Sequence, residues 1–180
     1  MDRQPLLKGE MVELRPLRVG DWDALYAVAS DPAIWAMHPM SDRWQESMFR
    51  AFFDDALAKG GALAVIDRGS GKIVGSSRFQ DYRPEAGGSV EVGWTFLSRD
   101  CWGKGHNREM KRLMLAHALE SVERVEFRVG AENWRSRKAL EKIGAQLSDR
   151  MDVRQYGDGE LVHRVYEMDR EQFAAGPLAN

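Results

Sequence analysis

One run dominates what this chain can become: Cys101-Trp102-Gly103-Lys104-Gly105-His106-Asn107-Arg108, passing without a break into the helical pattern of residues 109–119. Glycines at alternate positions leave backbone N–H groups uncovered just where a helix begins. Those amides, with the helix dipole, make an anion site. Lys104, Arg108, Lys111 and Arg112 crowd the first turns, and Glu109 is the lone acid among them. Cations there oppose the dipole unless an anion offsets them, so the cluster favours a phosphate over the alternative of a plain Gly-x-Gly turn.

The rest of the composition narrows the field. A length of 180 residues predicts a single domain across 1–180, with its core spanning about residues 10–170. A net charge of −2 at pH 7 argues against nucleic acid as the main partner. The first five residues lack the apolar segment of a secretory leader, and no apolar run approaches membrane-spanning length. A cytoplasmic protein with no membrane partner is expected. Cys101 is the only cysteine, and His38, His106, His117 and His163 lack ligand spacing, so neither an internal disulfide nor a metal site is expected.

Taken in order, residues 11–17 alternate as a strand near a sheet edge, where Pro16 is tolerated. Asp21 caps a helix to about Ala29 with Trp22, Leu25, Tyr26 and Ala29 on one face. Residues 31–44 hold two prolines and several bulky apolar side chains, a connection that either lines a cavity or seals the core. Ser41 or Asp42 starts a helix to about Ala58, with Met48, Phe52 and Ala56 on one side. Residues 62–66 and 73–79 read as a hairpin, and residues 82–88 as a second turn. In the strand at 89–97, Val90, Val92, Trp94 and Phe96 share one face; Glu91, Gly93 and Thr95 share the other. A strand at 124–129, a helix from Asn133 to Ile143 capped by Gly144, and a hairpin of 146–156 and 161–168 turning at Gly157-Asp158-Gly159 complete the chain.

This order predicts an α/β (α+β) fold: a mixed, mostly antiparallel sheet with helices on both faces. The crossover rule makes the strands at 89–97 and 124–129 parallel. There are too few strand–helix–strand units for a dinucleotide fold, and the phosphate-loop pattern of nucleotide hydrolases is absent.

Four segments in sequence resemble the GNAT superfamily of acyl-CoA-dependent N-acetyltransferases, most closely its RimJ/RimL-like branch. They are Leu14-Arg15-Pro16-Leu17, Val90-Glu91-Val92-Gly93-Trp94, Trp102-Gly103-Lys104-Gly105-His106-Asn107-Arg108-Glu109, and the run from Asn133-Trp134-Arg135-Ser136 to Gly144-Ala145. The resemblance implies acetyl-CoA as co-substrate, no metal, and an amine acceptor, either a protein N-terminus or a small molecule. It also implies a cofactor cleft where the strands at 89–97 and 124–129 splay apart, and it leaves open a homodimer through the terminal hairpin or an edge strand.

The resemblance also implies roles. The loop from Gly103 to Arg108 wraps the pyrophosphate with backbone amides. Trp102 and Asn107 depart from the Gln or Arg and the Gly or Ala usual at those loop positions, which leaves the contacts to Lys104, Arg108 and the amides. His106 either touches phosphate or faces solvent. Arg135 and Lys138 either reach the 3′-phosphate or stay solvated. Amides around Val92, Gly93, Trp94 and Thr95 polarise the thioester carbonyl if the strand bulges there, which Gly93 permits. Glu91 is either the base that takes the amine proton or a cross-strand ion-pair partner. Asn133 caps its helix and holds the thioester end, and Ser136 donates a proton to the thiolate. Cys101 has no histidine at activating spacing and reads as an inert thiol. Residues 35–44 and 82–88 form the acceptor entrance, where Asp31, Asp81 and Glu85 draw in a cation. A non-catalytic acyl-CoA sensor and a phosphate-binding protein unrelated to coenzyme A are the alternatives.

Overall fold

The computed structural model describes residues 1–156 and 159–179. The chain opens with β1 (Leu7–Lys8) and β2 (Val12–Pro16), then α1 (Trp22–Ala29), α2 (Pro32–Trp35) and α3 (Glu46–Lys59). Next come β3 (Ala62–Asp67), β4 (Ile73–Arg83), β5 (Ser89–Leu97), α4 (His106–Leu119) and β6 (Arg124–Gly130). The last elements are α5 (Trp134–Lys142), β7 (Gln146–Tyr156), β8 (Gly159–Asp169) and α6 (Arg170–Ala175). Gly157 and Asp158 of the expected final turn lie outside the described residues.

Among the described residues the strands form one sheet in the order β1-β2-β3-β4-β5-β6-β8-β7. Only β5 and β6 pair in parallel. The unbroken apolar run of β3 is explained by burial on both faces. Ala62 and Ala64 meet α1, α2 and α3 in a cluster with Leu25, Trp35, Phe49 and Phe53, while Leu63 and Val65 meet α4 and α5 in a cluster with Met110, Met114 and Leu140. No helix among the described residues is long and apolar enough to cross a membrane.

Three local expectations are corrected. Helix α3 begins at Glu46 rather than Ser41 or Asp42, and it buries Phe49 and Phe53 alongside Phe52 while Met48 stays half-buried. The residues before it form turns, because the His38 imidazole accepts the Met40 N–H at 2.9 Å and the Arg43 guanidinium lies over the rings of Trp35 and Phe52. Asp21 stands at the start of α1 without capping it. Its carboxylate instead pairs with Arg15 at 2.7 Å and accepts the Arg18 N–H at 2.8 Å. The β4 strand runs on to Arg83, which shortens the turn that follows.

The largest correction lies in β5. The register against β4 passes from Ser76↔Phe96 to Arg78↔Gly93, so β5 carries one extra residue there. The bulge centres on Trp94, whose φ of +51° is left-handed, rather than on Gly93. An extra residue reverses the alternation beyond it. Val90 and Val92 therefore face α4, whereas Phe96 turns to the α3 side and Thr95 turns to α4.

Candidate active site

The parallel pairing of β5 and β6 covers only Ser89↔Arg124, Val90↔Val125 and Glu91↔Glu126. Beyond it both strands continue without a partner in each other, and a cavity of about 510 Å³ opens between them. The bulge at Trp94 turns β5 away and so creates that gap. The walls are Val92 to Leu97 of β5, Phe127 to Gly130 of β6, Gly103 and Asn107 of the glycine loop, Lys111 of α4, and Asn133 and Ser136 of α5.

The loop holds Gly103 and Gly105 at φ +72° and +93°, a conformation that disfavours side chains. The first helical N–H of α4 to find an acceptor in the helix is that of Glu109, bonded to the Gly105 carbonyl at 2.9 Å. The amides of His106, Asn107 and Arg108 precede it and point out of the helix end toward the loop. This end is anchored from behind. The buried His106 ring lies 3.0 Å from Asp67, so His106 neither faces solvent nor presents its side chain to a phosphate. The Ser70 hydroxyl and His106 pull the Asp67 carboxyl down to about 2. The Glu109 carboxylate accepts the N–H groups of Glu10, Met11 and Val12 at 2.7–2.8 Å. That clasp leaves no room for a side chain at residue 9, where a Cβ would stand 2.4 Å from the Glu109 carboxyl carbon. An acid in a first helical turn is ordinary, so only the fold reveals what Glu109 holds.

Opposite the loop, the Asn133 side chain accepts the Ser136 N–H at 3.2 Å and caps α5, and both residues line the cavity. Trp102 donates its indole N–H to the Leu97 carbonyl at 3.0 Å. Arg135 stacks over the Trp102 ring and donates to the Ile34 carbonyl at 2.7 Å, which joins the loop, α5 and α2. Lys138 and Lys142 of α5 remain exposed at the cavity rim, while Arg108 donates to the Pro177 carbonyl.

Glu91 is only 3% exposed and is not among the residues lining the cavity. Its carboxylate meets the Arg128 guanidinium, which also contacts Glu126 at 3.1 Å, Asp152 at 3.5 Å and Asp81 at 3.8 Å. This is the cross-strand arrangement weighed above. Asp31 likewise pairs with Arg99, so neither Asp31 nor Asp81 stands ready to draw in a cation. Among the described residues the cavity wall contains Arg43, Lys111, Arg128, Arg135, Lys138 and Lys142, and no Asp or Glu.

The segment at 31–44 does both things expected of it. Ile34 and Trp35 are buried in the core and also reach the cavity with His38 and Arg43, while Met37 and Trp44 are exposed. Burial pushes the His38 imidazole down to about 3, so this wall of the cavity is neutral at His38. Burial likewise raises the Cys101 thiol, which keeps it protonated.

Residues 12–146 match the model of the family described as acetyltransferase (GNAT) domain. An acetyltransferase from T. thermophilus is 29% identical, with a TM-score of 0.76 over 93% of this chain and 90% of that one. Another acetyltransferase crystal structure, also 29% identical, gives 0.79 over 93% and 88%. RimJ of Mycobacterium smegmatis in complex with CoA-disulfide shares the fold at 19% identity, with a TM-score of 0.71 over 93% and 86%. A split parallel strand pair, a bulge beside it and a glycine loop on the following helix are thus joined to a sequence match spanning most of the chain, which belongs to the GNAT acetyltransferase family and is an acyltransferase.

Proposed function

We propose that this enzyme moves an acetyl group from acetyl-CoA to a primary amine, by direct attack within a ternary complex, and that it belongs to the RimJ/RimL-like branch. The observation that carries the reading is the opening of β5 from β6 beside the left-handed loop of Gly103 and Gly105. The residues present fit the donor. Amides of 103–108 with Lys104 take the pyrophosphate, and the exposed Lys138 and Lys142 stand where the outer phosphate emerges. Backbone around Val92, Gly93 and Trp94 faces the thioester carbonyl, while Asn133 and Ser136 hydrogen-bond the sulfur end. The amine's proton leaves through water toward the cluster of Glu91, Arg128 and Glu126. The acceptor is a protein N-terminus or a small-molecule amine, entering past Trp35 and His38. A cytoplasmic setting suits the single buried thiol. The apolar strip of Met151, Val153 and Val162 exposed on the β7–β8 hairpin suits a homodimer.

Thermal unfolding with acetyl-CoA tests this. At about a hundred times Kd, binding adds about 2.7 kcal/mol, a shift of several degrees for a chain of this size. Thiol release with a pool of amines and N-terminal peptides then identifies the acceptor class. Gly105→Ala is expected to abolish the shift, because a side chain at φ +93° rearranges the amides. Ser136→Ala is expected to keep the shift and lose turnover. No shift with the unmodified protein removes the proposal, and a shift without thiol release from any amine makes the chain a sensor.

A further inference from the structure

Lys111 stands out among the cations of the cavity. Arg128 is held by Glu91 and Glu126, Arg135 by the carbonyls of Ala33 and Ile34, and Arg43 by the rings of Trp35 and Phe52. Lys138 and Lys142 face solvent, and His38 is neutral. Lys111 is 5% exposed, and no ion pair forms on it among the described residues. Its ammonium donates to the Thr95 hydroxyl at 2.8 Å and lies 5.5 Å from the centre of the Phe127 ring. An ammonium has three hydrogens to donate, so Thr95 leaves it capacity toward the cavity. A buried cation without a carboxylate is costly to keep unless the working state supplies a negative charge.

The place of that charge follows from the fold. Lys111 lies five residues, about 7.5 Å, along α4 from its first residue, and its ammonium is held between Thr95 of β5 and the Phe127 ring of β6. Thr95 directly follows the bulged Trp94, where the thioester is placed by the function proposed above, on which this inference rests. We propose that the Lys111 ammonium faces the coenzyme A sulfur, stabilises the thiolate as it forms and gives it a proton. The acceptor nitrogen bonds to the carbonyl carbon, the C–S bond breaks with its electron pair on sulfur, and one N–H hydrogen of Lys111 passes to that sulfur. The proton shed by the acceptor nitrogen leaves through water toward the cluster of Glu91, Arg128 and Glu126, and Lys111 regains one from water, which balances the cycle. Burial has brought Lys111 down to about 7, within range of an ordinary thiol and far from a serine hydroxyl. Ser136 then positions the sulfur.

The test uses free coenzyme A and needs no acceptor. The thiol of bound coenzyme A is titrated by thiolate ultraviolet absorbance on the unmodified enzyme and on Lys111→Met, with circular dichroism to confirm folding and calorimetry to confirm binding. Met keeps the length and removes the desolvated charge, and Lys111→Gln replaces it should Met not fold. The thiol is expected to be at least about tenfold more acidic with Lys111 present, at unchanged coenzyme A affinity in mildly acidic buffer. Equal titration in both proteins overturns the inference and leaves the proposed function standing. Loss of coenzyme A binding in the folded variant overturns it too, making Lys111 a binding contact. Failure of the unmodified enzyme to bind coenzyme A overturns the function itself.

Discussion

Glu109→Ala is expected to cost about 3 kcal/mol of stability, a fall of roughly 6–12 °C in Tm, and to weaken acetyl-CoA binding with it. Three backbone N–H groups, those of Glu10, Met11 and Val12, converge on this one carboxylate. Three bonds to a charged acceptor, at about 1.5 kcal/mol each, come to about 4.5 kcal/mol, and water replaces part of that at a half-buried site, which leaves about 3 kcal/mol. Alanine strands those amides and frees the N-terminus of α4 from β2, which is the same helix end that carries the glycine loop. Glutamine keeps the shape but directs an amide N–H₂ at the same donors, so most of the loss remains.

The pH dependence gives a second check on the same residue. Burial raises the Glu109 carboxyl, but the bonds from Val12, Glu10 and Met11 outweigh it and the net shift is downward. A depressed acid contributes stability that is present above its unfolded range and lost as pH falls through its folded range. The gap between the unmodified protein and Glu109→Ala should therefore be widest near neutrality and close in acid, as read by urea unfolding. A gap that stays constant with pH would show that the carboxylate's charge is not what holds the clasp.

Arg128→Met is expected to destabilise by about 3–5 kcal/mol, because it withdraws the guanidinium from Glu91 and Glu126, which are 3% and 4% exposed. Glu126 keeps Arg150 at 2.9 Å, so the loss falls mainly on the Glu91 side of the cluster. Burial raises the Glu126 carboxyl, yet Arg150, Arg128 and Arg124 bring it below its usual value. That stability too is present above the unfolded carboxylate range and lost toward acid, so the variant should approach the unmodified protein as pH falls. Urea unfolding at neutral and acidic pH measures it. Because β5 and β6 share only three paired positions, the cluster is also what braces the closed end of the cleft. Acetyl-CoA affinity should drop together with stability. A variant as stable as the unmodified protein would mean that the cluster is incidental.

Much of this was legible in the residues themselves. Period-two alternation gave β2 and the first half of β5, and the glycine pair before a basic helix announced the loop. Local conformation depends on neighbours along the chain, so sequence carries it. The phase of β5 after Trp94 was not legible, because an extra residue in a strand shows only against its partner. Nor was the start of α3, where His38 and Arg43 hold turns through contacts with a neighbouring amide and with rings on α2 and α3.

The same division runs through the site. The glycine loop, the Asn133 cap and Ser136 sit in short segments whose geometry is local, and sequence alone determined them. Whether Glu91 faced the cavity or an arginine, whether His106 met solvent or Asp67, what Glu109 held and where the Lys111 ammonium came to rest were decided only by the tertiary structure. A charged side chain takes its role from partners 16 to 99 residues away in the chain, and those partners exist only once the sheet has brought its strands together.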